Sequence, residues 1–233
     1  MREGETAAAH RSLLAALQLG DSGLPIGRFV HSHGLEQWLR DHPDPSPKTL
    51  GELLVVAVRQ MAGPLDAAML AHAHRARTAD GLACLDRALT VRKPLPPARA
   101  ASESCGRQLA LLAVKLVDDP LVHDFADLVR MQRSSGNLAV VEGTLARAMG
   151  ISVEAAVTLA LRDTVIALLS AAIRLGAVSP SQAQVLQVEL GGVISEAVST
   201  ALTLSVDDLW SSAPELEICA LRHARNDVRF FAT

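Results

Sequence analysis

Apolar residues recur three and four positions apart along nearly the whole chain, which is the spacing of a buried helix face. No segment of convincing length alternates apolar and polar residues as a half-buried strand does. The connections are short, and no linker divides the chain. The pattern therefore predicts an all-α protein, a single compact bundle-like domain of about nine or ten helices over residues 1–233. Residues 1–8 are polar and small, and we expect them to be disordered.

Gly, Pro and Ser mark the expected helix ends. Ser32 is placed to cap a short helix that follows it, and Ser152 and Gly176 are placed to begin and end a long one. Gly63-Pro64 is expected to kink or divide the helix in which it lies. Residues 165–173 carry no charge, so this part of the long helix is expected to lie centrally.

Composition narrows the class of protein. Hydrophobic residues make up 49% of the chain but aromatic residues only 3%, which favours close-packed helices over a sheet. The formal net charge is −3, so the chain has no excess of basic residues for binding phosphates, and we expect no nucleic-acid partner. The cysteines are scattered, which argues against a disulfide framework, and the acidic N-terminus argues against a signal peptide. The lack of a long uncharged apolar stretch argues against a transmembrane helix. We therefore expect a cytoplasmic protein without a membrane partner.

Two histidine pairs raise the question of a metal site. His72 and His74 are two positions apart, which places their side chains about 200° apart on a helix, so they cannot ligate one ion. His31 and His33 lie near a loop, where they could converge with Glu36. The favoured interpretation is a hydrogen-bonded helix start, and a metal site remains the alternative.

Motifs of nucleophilic catalysis and phosphate binding do not occur in the chain. There is no G-x-S-x-G, G-x-G-x-x-G or G-x-x-x-x-G-K-[ST], and Cys105 has no base nominated by its sequence context. A protein that binds other proteins is therefore favoured over an enzyme. An all-α metal-dependent hydrolase and an unrelated helical ligand-binding or regulatory module stay open as alternatives.

Several segments together resemble one known family. The stretch "LLAALQLGDSGLPIGRFVHSHGLEQWL", residues 13–39, closely resembles the N-terminal signature of the urease accessory protein UreF family, which includes "LPxGxFxxSxGLE". Further segments are similar to this family in the same order along the chain: residues 98–113, 136–161, 168–184 and 213–233.

The chain also departs from the family pattern at identifiable positions. His31 stands where an aromatic residue is common, Asn137 replaces the usual His after Gly136, and residues 177–182 replace a Pro-Leu-Gly-Gln turn. Ala224 replaces a Glu, and the end of the chain lacks the second of two arginines. If the tail docks through charge, the resemblance implies that this contact is weakened or replaced by apolar area.

The resemblance implies a function that the chain's own motifs leave open. Members of the family are all-α, dimeric and non-catalytic, and they help nickel to reach apo-urease. They bridge a UreD/UreH-type scaffold and a UreG-type GTPase and control when the GTPase releases the metal. By resemblance, this chain has no cofactor of its own, although nickel would transit the complex.

Two groups of residues are predicted to bind these partners. The N-terminal loop, residues 24–36, contributes Pro25, Gly27, Phe29, Ser32, His33, Gly34 and Glu36. The C-terminal element contributes Arg222, His223, Arg229, Phe230 and Phe231, with residues 226–233 as a docking tail. His33 and His223 are additionally proposed to line a nickel path. The competing interpretations are a buried turn at a helix start for the first group and a disordered tail for the second.

Overall fold

The computed structural model describes residues 2–232, and within that range all regular secondary structure is helical. The α-helices are α1 (Arg2–Leu19), α2 (Leu35–Asp41), α3 (Pro47–Val56), α4 (Ala68–Arg75), α5 (Ala79–Arg92), α6 (Pro96–Leu116), α7 (Pro120–Arg130), α8 (Leu138–Ala148), α9 (Val153–Arg174), α10 (Pro180–Glu189), α11 (Gly191–Thr203) and α12 (Pro214–His223). A short 3₁₀ turn spans Arg28–Val30, and a π-helical segment, Ala57–Ala67, joins α3 to α4. The all-α prediction is confirmed.

Helix ends agree with the sequence prediction at some positions and differ at others. Ser152 caps α9 by accepting a hydrogen bond from the Ala155 N–H, and Gly176 follows the end of α9 in a left-handed conformation, φ 77°, as predicted. Helix α1 begins at Arg2, so residues 2–8, which were expected to be disordered, are helical. Alanine, which recurs in this stretch, has the highest helix propensity of any residue type. Met1 and Thr233 lie outside the described residues.

The Gly63-Pro64 dipeptide does not divide its helix. Because Pro64 has no N–H and its ring crowds the preceding turn, the chain widens into the π-helical segment and continues into α4. Carbonyls of this segment bond to the connection between α11 and α12: the Trp210 N–H donates to the Pro64 carbonyl at 3.3 Å and the Ser212 N–H to the Gln60 carbonyl at 2.8 Å. Of the two predicted outcomes, division of the helix is therefore wrong, whereas regular α-helical geometry is interrupted at this dipeptide, and the distorted segment anchors another part of the chain.

The core surrounds α9, which packs against α4, α8, α11 and the π-helical segment. Val165, Leu168 and Leu169 are all buried, which confirms the predicted central position of residues 165–173. Helices α4 and α8 pack so closely that a side chain on Gly143 would collide with the Leu70 carbonyl. The continuous helix Pro47–Arg75 and helix Val153–Arg174 are long and apolar enough to cross a membrane by length and composition alone. Their most apolar stretches are 67% and 56% buried inside this fold.

Candidate functional site

The N-terminal loop is shaped by two glycines in the left-handed region. Gly27, φ 80°, precedes the 3₁₀ turn, and Gly34, φ 89°, begins α2. The N-cap position of α2 falls on Gly34 and not on the predicted cap, Ser32, which is buried. A side chain at Gly34 would collide with the backbone of α12 at Leu216 and Ala220. Glycine at this position therefore allows the two ends of the chain to meet.

Glu36 is the point at which the loop binds the C-terminal region. Its side chain is only 1% exposed, and its two carboxylate oxygens accept hydrogen bonds from four groups. Arg40 Nη2 donates at 2.7 Å and His223 Nε2 lies at 2.7 Å, while the backbone N–H groups of Phe230 and Phe231 each donate at 3.1 Å. Burial alone would raise the pKa of Glu36, but the hydrogen bonds from Phe230, His223 and Phe231 lower it below its ordinary value. The carboxylate therefore stays ionised at neutral pH.

Backbone and amide contacts extend this attachment on both sides of Glu36. The Ala232 N–H donates to the Val30 carbonyl at 2.8 Å, which joins the end of the tail to the 3₁₀ turn. The Asn226 side-chain amide donates to Gln37 Oε1 at 2.7 Å, which joins the beginning of the tail to α2. The tail therefore folds back onto both the loop and α2, with hydrogen bonds near each of its ends.

Arg174, at the end of α9, supports both partners of this contact. Its Nη1 donates to the Phe29 carbonyl at 2.9 Å, and its guanidinium lies 5.8 Å from the centre of the Phe231 ring. Neither Arg174 nor Arg40 was predicted from the sequence. The contact of Arg40 with Glu36 could have been predicted, because Arg40 follows Glu36 by four positions on a predicted helix. No local pattern indicated the contact between Arg174 and Phe29, because the two residues lie 145 positions apart.

The predicted partner-binding residues differ in accessibility, although the structure brings loop and tail together. Pro25, Gly27, Arg222, Arg229 and Phe230 are exposed. Phe29 and His33 are half-buried. Ser32, Gly34, Glu36, His223 and Phe231 are buried. Arg222 also pairs with Asp41 at 2.6 Å. The roles of these residues in binding partners remain predictions.

The other side of the loop lines a cavity of about 220 Å³, here called the central cavity. Its walls come from the loop, the π-helical segment, α6, α8 and α9 and are largely apolar. Its polar lining includes Arg28, His31, His33, Asp66, Lys93, Cys105, Glu142 and Asp163.

Arg28 pairs with two buried acids in the wall of the central cavity. Arg28 Nη2 lies 2.9 Å from Glu142 Oε1, and Arg28 Nη1 pairs with Asp163. Burial raises the pKa of both acids, and Arg28 offsets only part of that effect. Among the described residues, Glu142 thus pairs with Arg28 alone, whereas Asp163 also pairs with Arg162, whose Nη1 lies 3.3 Å from Asp163 Oδ1.

The cavity histidines do not form the metal site considered from sequence. Burial, followed by the nearby His31, lowers the pKa of His33 to about 4, so its imidazole is neutral at neutral pH. Glu36 is bound to the tail rather than to this pair. Among the side chains that the structure describes, those of residues 6–232, no three His, Cys, Asp or Glu are grouped so that they could hold a metal ion. His223 contacts Glu36 and does not line the cavity.

The second histidine pair is also explained by packing. His72 Nε2 lies 2.9 Å from the Leu204 carbonyl, and His74 Nε2 lies 2.8 Å from the Ile151 carbonyl. The two rings bond to different segments, as their two-residue spacing predicts.

Comparison with known proteins identifies close similarity over nearly the full chain. A family profile described as UreF matches residues 45–191. The "Urease accessory protein UreF 2" of Brucella canis is 31% identical over 233 residues, covering 97% of this chain and 96% of that protein. The "Urease accessory protein UreF" of Bacillus sp. (strain TB-90) is 28% identical, covering 94% of this chain and 98% of that protein. The protein of the same name from Trichodesmium erythraeum is 28% identical, covering 94% and 96%.

Proposed function

The chain belongs to the UreF family of urease accessory proteins, and we propose that it bridges a UreD/UreH-type scaffold and a UreG-type GTPase while the nickel centre of urease is assembled. In this proposal it is a cytoplasmic, non-catalytic homodimer. It controls when the GTPase releases nickel toward apo-urease and does not itself retain the metal.

The observation that carries the proposal is the junction of loop and tail. Two segments that the family resemblance assigns to partner binding lie 187 to 195 positions apart, yet they share the carboxylate of Glu36. A protein that serves as a bridge needs ordered surfaces for more than one partner, and this junction orders both segments together. The chain carries no nucleotide-binding motif, so GTP binding is assigned to the partner.

Co-purification tests the proposal directly. The full chain is expected to form complexes with the UreD-type and UreG-type proteins from the same source, and deletion of residues 226–233 is expected to abolish at least one of them. A variant with Val188→Ala is the control, because Val188 is exposed on α10, away from the junction. If the full chain binds neither partner while both are folded, the proposal is wrong.

The predicted nickel path requires a separate experiment at His33. His33→Ala is expected to keep both partners but to reduce activation of urease, because the substitution removes a neutral imidazole from the central cavity. Full activation by this variant would exclude His33 from the path. His223 cannot be tested in the same way, because its removal would leave Glu36 without one of its donors.

A further inference from the structure

We propose that the central cavity binds a small organic anion, a carboxylate with an apolar chain or ring of about eight or nine carbon atoms, whose charged end meets Arg92 and Arg99 at the opening. This site goes beyond the proposed function, because assembly of the nickel centre by protein partners does not call for an organic ligand. Three features of the cavity support it: its walls, its volume and the charges around its opening.

The inner walls of the central cavity suit an apolar body. Buried leucines from three helical segments line it: Leu65, Leu70 and Leu161. Ser102, a polar residue of the wall, already donates to Asn137 Oδ1 at 3.0 Å. The described side-chain nitrogen and oxygen atoms that are buried without a partner lie outside this lining, on Arg147 and His223. An apolar ligand would therefore leave no described buried side-chain atom of the lining without a hydrogen bond.

The volume of the cavity sets the size of that apolar body. At about 220 Å³ it exceeds the roughly 150 Å³ of an engineered apolar cavity that binds benzene. In proportion, the central cavity holds about eight or nine carbon atoms. A medium-chain carboxylate, or a benzene ring with a short carboxylate side chain, has this size, whereas a membrane lipid or a nucleotide is too large.

The opening of the cavity includes the connection between α5 and α6, residues 93–95, where Pro94 is exposed. Arg92 lines the cavity beside this connection. Arg99 approaches it from α6, because its Nε donates to the Lys93 carbonyl at 3.0 Å. Two guanidinium groups are thus held on the side of the cavity that faces solvent.

These two arginines keep hydrogen-bond donors for a ligand. Arg92 Nη1 donates to the Ala88 carbonyl at 3.2 Å, and among the described residues neither Arg92 nor Arg99 forms an ion pair. A guanidinium carries N–H donors in a planar fork that matches the two oxygens of a carboxylate. A single bond to a backbone carbonyl therefore leaves each arginine able to bind a carboxylate ligand.

The acids of the cavity lining, with one exception, already have cationic partners. Asp66 pairs with Lys93 at 2.7 Å, and the two acids of the inner wall pair with Arg28. Glu217 forms no ion pair with a described residue, and its Oε1 accepts the Ala213 N–H at 3.1 Å. Two unpaired arginines against one unpaired acid leave a positive charge at the cavity, which favours an anion over a neutral or cationic ligand.

Octanoate, which has the expected size, is the probe, and ligand-observed NMR on the full chain measures its binding. We expect a dissociation constant of about 1 mM or less. The neutral 1-octanol and the cationic octylamine are expected to bind at least about tenfold more weakly, because neither offers a carboxylate to the arginines. If octanoate does not bind at several millimolar, or if either of the other two compounds binds as tightly, the inference is overturned.

Substitutions at the opening test the contact with the charged end of the ligand. Arg92→Gln and Arg99→Gln are each expected to weaken octanoate binding by about tenfold, while binding of 1-octanol stays unchanged. Arg87→Gln is the matched control, because Arg87 is an exposed arginine of α5 outside the cavity lining. If both Arg92→Gln and Arg99→Gln bind octanoate like the wild type, the arginines do not hold the ligand and the inference is overturned.

A substitution that narrows the cavity tests the place of the apolar body. Ala98 lines the cavity, so Ala98→Leu is expected to weaken octanoate and 1-octanol alike. Ala100→Leu, at an exposed position of the same helix outside the lining, is expected to bind both like the wild type. Thermal denaturation checks that each variant is folded, and if Ala98→Leu is not, Arg92→Gln decides.

Wild-type affinity of a folded Ala98→Leu for octanoate would place the ligand outside the cavity and overturn the inference. None of these measurements requires an accessory protein. Failure of the proposed function therefore leaves this test unaffected, and failure of octanoate binding leaves the proposed function unaffected.

Discussion

Glu36 and Glu142 are both buried glutamates, yet their surroundings shift their pKa values in opposite directions. Glu36 accepts hydrogen bonds from two backbone N–H groups and from two side chains, and its pKa is lowered. Glu142 shares the guanidinium of Arg28 with Asp163, and its pKa is raised. Burial opposes ionisation at both sites, so the number of donors for each acid decides the result.

One short segment of chain, the N-terminal loop, therefore makes two different kinds of contact. Through Glu36, the loop holds the tail in place, and through Arg28, eight positions earlier, it neutralises the wall of the central cavity. The first contact stabilises a particular conformation of the chain. The second pairs Arg28 with Glu142 and with Asp163, which Arg162 also contacts. A disturbance of the loop would therefore reach both the tail and the cavity.

The largest effect is expected when Arg28 is removed from the wall of the central cavity. Arg28→Met leaves Glu142 buried without a counter-ion and Asp163 with Arg162 alone, and we expect it to lower the free energy of unfolding by about 3–5 kcal/mol. Urea denaturation at neutral pH measures this change. Arg59→Met, which removes an exposed ion pair with Glu196, is the matched control and should cost no more than about 1 kcal/mol. Equal losses in the two variants would refute the dependence of the cavity on Arg28.

The next largest effect is expected at Glu36. Glu36→Gln keeps the shape of the side chain but removes the charge that the four donors share, and we expect a loss of about 2–3 kcal/mol, together with release of the tail. Urea denaturation and protease digestion of the C-terminus measure the two consequences. Glu52→Gln, on an exposed position of α3, should change neither. If the tail of Glu36→Gln still resists the protease, its other contacts are sufficient to hold it in place.

A smaller loss is expected from the glycine that brings the ends of the chain together. Gly34→Ala introduces a side chain against the α12 backbone at a residue with positive φ, and we expect it to cost about 1–3 kcal/mol and to loosen the tail. Gly192→Ala is the control, because Gly192 lies in α11 with open space around it, and this change should be neutral or stabilising by up to about 1 kcal/mol. Thermal denaturation compares the two. A loss in Gly34→Ala no greater than in the control would argue against the close approach.

The smallest effects are expected in the pH dependence, where the two glutamates should differ in sign. Because the pKa of Glu36 is lowered on folding, its ionisation stabilises the fold above the ordinary value of 4.5, and this contribution disappears as the pH falls through the folded pKa. Because the pKa of Glu142 is raised, its ionisation destabilises the fold above the folded pKa, and this penalty is absent below 4.5.

Urea denaturation between pH 3 and pH 7 tests this difference in sign. The stability of Glu36→Gln relative to the wild type should fall as the pH rises, whereas that of Glu142→Gln should rise. A folded-state pKa that differs by 1 from the unfolded-state value corresponds to about 1.4 kcal/mol of stability. Parallel curves for the two variants would show that the buried glutamates do not differ in this way.

Much of the fold and part of the site could be predicted from the sequence. Ser152 and Gly176 marked the ends of α9 correctly, because capping depends on residues within one turn of the helix end. The family resemblance named Glu36 and Phe231 as site residues. It did not show that they bind each other, nor that Phe231 is buried while Phe230 is exposed.

The sequence by itself determined the helical class of this protein and most of its helix positions, because apolar spacing and capping act over a few residues. Only the tertiary structure decided what the polar residues do. Ser32 had the right chemistry to cap α2, but the close approach of α12 assigned that position to Gly34. Glu36 meets the tail, and Arg28 meets Glu142 and Asp163, across more than 100 positions of chain. Such contacts follow from how the helices pack, which no local pattern encodes.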